Sequence, residues 1–454
     1  MAKSTVKSVD RRARGPFPRL RKQLRNSFLF IPFTGLACGW FLATAVVQLD
    51  TFIHELDTRW ENVNLQGVWF LRTAQDLGAS AKTAVGTMSA AMLTFIGVVF
   101  SITLVALQMA AGQFSPRVLR IYVESGVTKL TLAVFLCTFL YTLRIQKEYT
   151  ASERPADAVI PYTGASLAMG FVVLSLVLFV VYVHATIRLM RVTYVMDRVC
   201  EESLGLIRRV VVPTESPGGH GDAEAVAADS EGRPSFVVAH GWRPGVLQAV
   251  DAGRLVRLAR RQSVVLHLVP KVGDFLCPGA PLYRVIGANA PRPSAVQSAL
   301  DIGVERTTEQ DLAFGLRQLA DIAARALSPG VNDPTTAVQA LDRIQVLLTA
   351  LAAQPLGRIH HRDAEGVIRL VESLPTWPEL LDLALTEARH YGVESAQVTR
   401  RIAACLDDLE RLVPQDRRPP LRLHRELLEE EVRARSSSTQ QGDFALRPDR
   451  QGIG

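Results

Sequence analysis

"FSITLVALQMAAGQFSPRVL", Phe100 to Leu119, opens as a helix built for a bilayer and then departs from that pattern. Ser101, Thr103, Gln108 and Gln113 are threaded through an otherwise apolar run that ends on Gln113-Phe114-Ser115-Pro116-Arg117. The ending has a local cause. Pro116 lacks an N–H and disfavours helix at Ser115, so the chain is expected to turn there, with Arg117 and Arg120 marking the exit into the cytoplasm. The polarity has a pattern. Followed in steps of seven, nearly two helical turns, it runs through Thr87, Thr94, Ser101, Gln108 and Ser115 along one slowly drifting line, with Thr103 and Gln113 off it. An amide is costly in hydrocarbon, so this face is expected to meet protein or water rather than lipid.

Two readings of the line follow. One is an interhelical hydrogen-bond seam, worth on the order of 0.6 kcal/mol per contact. The other is the lining of a pore or hydrated cavity, in an oligomer whose subunits each contribute this helix. The residues allow both.

Working outward, four stretches approach or exceed the roughly 20 apolar residues that a bilayer demands. They are Phe28–Leu49, Ala84–Ala111, Val127–Leu143 and Ser166–Ile187, which make residues 28–187 a four-helix transmembrane domain. The third is the shortest and carries Lys129 near its start. Ala43-Thr44-Ala45 resembles a signal-peptidase site, but the basic region before it is too long and the apolar stretch exceeds an ordinary signal segment.

Charge orients the spans. The chain carries a formal +7, yet residues 1–25 hold nine Lys and Arg against Asp10 alone, a net of +8 that leaves −1 for the rest. The basicity therefore belongs to a cytoplasmic tail over residues 1–27, suited to anionic lipid, and not to a nucleic-acid groove. Residues 50–83 are net acidic, the 112–129 connection is basic, and Arg188, Arg191 and Arg198 follow the fourth span. That alternation puts both termini in the cytoplasm. Gly35, Gly39 and Ala43 form a small-residue face on the first span, read as packing within the chain rather than a dimer motif. The five cysteines are widely spaced with no CxxC, which supports neither a disulfide framework nor a thiolate metal site.

Beyond the spans, apolar residues recur at helical intervals to about residue 210, and "PTESPGGHGDAEAVAADSEGRP" closes a connecting helix and loop over residues 188–234. Residues 235–290 then read as a small β-module. Its "VGDFLCPGAPL", Val272 to Leu282, resembles the hairpin of biotinyl/lipoyl-like barrel-sandwich domains, where Gly-Asp and a following Gly set two tight turns. No attachment lysine stands in the required place, so no covalent cofactor is expected.

Residues 301–432 are expected to form a helical cytoplasmic domain. Within "DLAFGLRQLADIAARALSPGVNDPTTAVQALDRIQVLLTAL", Asp311 to Leu351, Asp333 before Pro334 is a helix start, an N-cap followed by proline at the first helical position. The corner before it has a capping reading and a ligand reading. In the second, free N–H groups beside Arg325, Ser328, Asn332, Asp333, Thr335 and Thr336 would hold a small ligand or anion. His360-His361 is a poor metal pair, its rings pointing to different helix faces, and no nucleophile, acid–base or phosphate-loop signature appears. Residues 433–454 are polar and expected to be disordered.

Together, the Phe100–Leu119 segment, the Val272–Leu282 hairpin and the Asp311–Asp342 segment resemble a bacterial family of predicted membrane proteins, domain of unknown function 2254, over roughly residues 20–430. The resemblance implies a bacterial inner-membrane location and carries over no functional residue. The expected molecule is a mostly α membrane protein with four transmembrane helices, a cytoplasmic β-module and an α-helical domain. It is read as a homo-oligomer, not an enzyme, with no metal, cofactor or nucleic-acid partner. Its lead role is channel-like or transporting, with the cytoplasmic part sensing or gating. The rival is a non-conducting, membrane-anchored ligand-binding or scaffold protein.

Overall fold

The computed structural model describes residues 30–59, 78–113, 125–151, 162–210 and 234–451. The basic tail, the Ser115-Pro116 corner and most of the connecting loop lie outside these residues. The chain divides into two compact units, Met1–Arg191 and Val192–Gly454.

The N-terminal unit holds α1 (Phe30–Arg59), α2 (Gly78–Gln113), α3 (Gly126–Ala151) and α4 (Tyr162–Leu189). Each contains a segment long and apolar enough to cross a membrane: Phe30–Phe52, Thr83–Ala110, Gly126–Glu148 and Thr163–Leu189. The third, short in the sequence, extends to 23 residues. It reads as the weakest span because it is the central one. Half of its apolar window is buried, against 17% in each of the others, and it packs on α1, α2 and α4. A helix enclosed by other helices tolerates hydroxyls and small residues that a lipid-facing helix cannot.

Local contacts set the directions. A Cβ on Gly35 would lie 2.3 Å from the Ala133 carbonyl oxygen and one on Gly39 would lie 2.4 Å from that of Cys137. The same four-residue step on both helices means that α1 and α3 run parallel with their backbones in contact. Ala43 continues that face and is fully buried. The small-residue face is thus spent on packing within the chain. α2 runs antiparallel to α3, with Phe95 edge-on to Phe135 at 6.1 Å and Gly86 against Gln146. α4 is also antiparallel to α3: Thr138 Oγ1 meets Ser175 Oγ at 3.2 Å, and Tyr141 donates to the Gly164 carbonyl at 3.0 Å.

The C-terminal unit begins with α5 (Val192–Val210), whose apolar stripe, including Val195, Met196, Val199, Leu206 and Ile207, is buried. Next come β1 (Ser235–Ala239), β2 (Gly245–Val250), α6 (Ala252–Arg261), β3 (Val265–Leu268), β4 (Phe275–Leu276), β5 (Pro281–Ile286), α7 (Pro293–Gln297) and β6 (Leu300–Gly303). Gly273 and Gly279 hold φ of 102° and 87° in the two expected turns, conformations that a Cβ would strain. Gly273 donates to the Leu247 carbonyl at 2.8 Å, which ties the turn to β2.

The chain continues with α8 (Phe314–Ala326), α9 (Pro334–Ala352), β7 (Arg358–Arg362), β8 (Ile368–Ser373), α10 (Trp377–Gly392), α11 (Ala396–Leu412), α12 (Arg418–Arg435) and α13 (Thr439–Leu446). Two expectations fail here. The stretch read as helical throughout contains the β7–β8 hairpin, so His360 and His361 lie on a strand. Its strand β8 pairs in parallel with β3, which makes a five-stranded sheet in the order β1-β5-β3-β8-β7 beside a three-stranded sheet β4-β2-β6. A shared core of Leu247, Leu255, Leu266, Tyr283 and Leu370 draws on both sheets and on α6. The hairpin was hidden because its pairing partner lies about a hundred residues upstream, and strand pairing of that kind leaves little local signal.

The tail expected to be disordered is also ordered in its described part. Arg400 of α11 stacks on the Phe444 ring at 4.4 Å and bonds Asp449 at 3.0 Å, and Thr399 donates to the Ala445 carbonyl at 2.7 Å. Few apolar residues are involved, so composition could not reveal it.

Candidate functional site

The buried stripe of α2 is Val85, Met92, Ile96, Val99, Ala106 and Ala110. Thr87, Thr94, Ser101 and Gln108 lie off that stripe, and all four are exposed. The Thr87 hydroxyl donates to the Thr83 carbonyl at 2.9 Å and that of Thr94 to Ala90 at 3.2 Å, the ordinary return bonds of a helical threonine. Among the described residues, the Ser101 and Gln108 side chains have no hydrogen-bond partner, and none of the four bonds another helix of the unit. Leu93, Phe100, Leu104 and Met109 are exposed around them. The outer surface of α2 is therefore apolar, with a hydroxyl and an amide set into it.

Two hydroxyls of α2 turn inward: Ser89, which is buried, and Thr103, off the line in the sequence. Thr103 meets Tyr182 Oη at 2.7 Å, and that phenol reaches the Val99 carbonyl at 3.1 Å. The polar interior of the bundle lies mainly on α3, which the sequence reading passed over. Thr131, Thr138 and Thr142 are fully buried there, and Lys129 is nearly so. Thr138 returns a bond to the Val134 carbonyl at 2.8 Å besides its contact with Ser175. The spacing of Thr131, Thr138 and Thr142 by seven and then four is a legible helical stripe.

Asp50 needs a correction of place. Grouped by sequence with the net acidic residues 50–83, it is buried near the end of the first apolar segment. Its carboxylate accepts from the Thr163 hydroxyl and from the Gly164 N–H at 3.3 Å, so it caps the start of α4 from a neighbouring helix. Because α1 and α3 are parallel, Asp50 and Lys129 sit at opposite ends of the bundle.

The second candidate is the α8–α9 corner. Asp333 accepts from the Thr336 N–H at 3.0 Å and from its hydroxyl at 2.6 Å, while its own N–H reaches the Ala326 carbonyl at 2.7 Å. Ser328 donates to the Arg325 carbonyl at 2.7 Å. Asn332 takes φ of 48°, a left-handed conformation that asparagine tolerates better than most residues. Arg325, Asn332 and Thr335 are exposed. Ser328, Asp333 and Thr336 spend their polar groups on the turn itself.

A third feature was not anticipated. Asp311, almost fully buried, receives a two-point bond from Arg306 at 2.7 and 2.9 Å and the Ala313 N–H at 3.1 Å. Burial pushes its carboxyl above the usual carboxylate range, and the Arg306 and backbone donors pull the other way. A Cβ on Gly273 would fall 2.4 Å from the Asp311 carboxylate, so this pair is seated on the Gly-Asp turn. Its placement marks a structural clamp between the sheet and the start of α8.

The profile of a family described as predicted membrane protein (DUF2254) matches residues 25–408. Uncharacterised proteins of Mycobacterium bovis and of Mycobacterium tuberculosis strain H37Rv are each 32% identical over 368 residues, covering 79% of this chain and 66% of theirs. The match thus spans just under two thirds of the length of those relatives. No solved structure matches the chain.

Proposed function

The chain belongs to this family of predicted membrane proteins, and we propose that it works as an oligomeric, channel-like or transport protein of the bacterial inner membrane. In this reading both termini are cytoplasmic and the basic tail rests on anionic lipid. The C-terminal unit, with its small barrel-sandwich-like β-module, senses or gates, and no catalytic chemistry is assigned.

One observation carries the proposal: the line Thr87–Thr94–Ser101–Gln108 faces away from its own bundle. Thr87 and Thr94 satisfy themselves on the helix backbone. Ser101 and Gln108 do not, and an amide left in hydrocarbon is expensive. A second copy of α2, or water held between copies, removes that cost. In a closed ring of subunits the same face of each helix meets its symmetry mates, which turns an outward seam into an axial one.

Conductance of the purified protein in planar bilayers tests the idea directly. Gln108→Leu should alter conductance, and Ser101→Cys should cross-link between copies under mild oxidation. A correctly assembled but silent protein refutes conduction; a monomer without cross-links refutes the assembly. The alternative is a non-conducting anchored binding protein that uses the Arg325–Thr336 corner. It would be favoured by a ligand whose thermal stabilisation vanishes in Asn332→Ala.

A further inference from the structure

The five-stranded sheet has two unlike faces. One carries Leu266, Tyr283, Val285 and Leu370 into the core beneath α6. On the other face, cross-strand partners follow one line: Val237 opposite Arg284, Arg284 opposite His267, His267 beside Val371, and Val371 opposite His360. Arg358, two residues before His360 on the edge strand, shares that face by alternation. Arg284 and Arg358 are exposed, and His267 and His360 are half-buried.

The cations outnumber their counterions here. β1 supplies no charge to the line, and β8 places Val371 at its centre. Of the two carboxylates in the hairpin turn, Asp363 is held by Arg369 at 2.7 Å and by backbone N–H groups at 3.0 Å, and Glu365 pairs with Arg260 of α6. Glu372 is on the opposite face, bonded to His361 at 2.9 Å. Burial, Arg358, Arg284 and His360 together hold the His267 imidazole below the usual histidine range, so the charges acting on it are all of one sign.

The spacing fits one ligand chemistry. β5 and β7 stand three places apart in the sheet, about 14 Å at the usual strand spacing. Two arginine arms reaching inward from either side can meet over His267 and Val371. Guanidinium forks match phosphate oxygens in pairs, and a concentration of like charge on a firm platform draws anions to it.

We infer that this sheet face is an anion site for a phosphate group, with Arg284 and Arg358 as the two forks and His267 and His360 between them. The phosphate can belong to a free phosphate ester or to a phospholipid headgroup. The site is separate from the α2 seam, and it stands whether or not the membrane unit conducts.

The test uses the full chain in a zwitterionic detergent and reads the unfolding midpoint of the C-terminal unit. One arm titrates inorganic phosphate against chloride at matched ionic strength. The other adds short-chain phosphatidylglycerol against phosphatidylcholine. A saturable rise with phosphate assigns a free anion; a rise with phosphatidylglycerol alone assigns a headgroup. In either case Arg284→Gln and Arg358→Gln should each weaken half-saturation about tenfold, and Arg284→Lys should keep most of the response. Arg261→Gln, an exposed arginine on α6, should leave it intact. No rise with either probe overturns the site, as does a rise that persists in the Arg284→Gln/Arg358→Gln double variant. Because both side chains are exposed, these variants should fold, and the midpoint without ligand checks that they do.

Discussion

Gly39→Ala is the sharpest test of the membrane unit. The added Cβ would lie 2.4 Å from the Cys137 carbonyl oxygen, where ordinary contact begins at 3.4 Å. The neighbour is helix backbone and cannot swing aside, so α1 and α3 must part locally by about 1 Å, a gap that forfeits a quarter to a half of each affected van der Waals contact. Overpacking of this kind costs about 1–3 kcal/mol. The gain in helix propensity, about 1 kcal/mol for Gly to Ala, offsets part of it. A net loss of about 1–2 kcal/mol is expected, and more for Gly35→Ala/Gly39→Ala, since Gly35 meets Ala133 in the same way. Gly97→Ala on α2 is the control. Its Cβ would meet nothing within 4 Å, so it should be neutral or slightly stabilising. Thermal unfolding in detergent, followed by circular dichroism, reads all three. If Gly39→Ala matches Gly97→Ala, the parallel backbone contact between α1 and α3 is refuted.

Three further outcomes concern the C-terminal unit. Asp333→Ala removes the cap of α9 and should cost about 1 kcal/mol in chemical denaturation, whether or not the corner holds a ligand. Asp311→Ala leaves the buried Ala313 N–H unpaired and frees Arg306, which is only partly exposed; a loss of about 2–3 kcal/mol is expected, and a loss below about 0.5 kcal/mol would show that the clamp is dispensable. His424 is held below its ordinary 6.5 by burial and by Arg389, with Asp382 opposing. The unfolded chain therefore binds the extra proton first, and stability falls as pH drops below about 6.5. His424→Asn, which keeps an acceptor for Arg389, should flatten that limb of a pH–stability profile measured by denaturant titration.

The membrane half was legible because its signals are local. A bilayer requires long apolar runs, and the four runs stand out without reference to one another. The Asp333-Pro334 helix start and the two glycine turns of the Val272–Leu282 hairpin were readable for the same reason: each is dictated by a few adjacent residues. The β7–β8 hairpin was missed because its place in the sheet comes from a distant strand. The ordering of residues 439–446 was missed because it rests on arginine contacts from α11.

By itself, then, the sequence determined the number of spans, the periodic polar line on the second of them and the turn chemistry of the C-terminal unit, since all three depend on neighbours along the chain. Tertiary structure alone decided where each face points. It made the least apolar span the centre of the bundle and turned Thr103 inward. It left Thr87, Thr94, Ser101 and Gln108 outside, and it gathered Arg284, His267, Arg358 and His360 from three strands onto one side of a sheet. Periodicity assigns residues to a common face; only packing decides what that face meets.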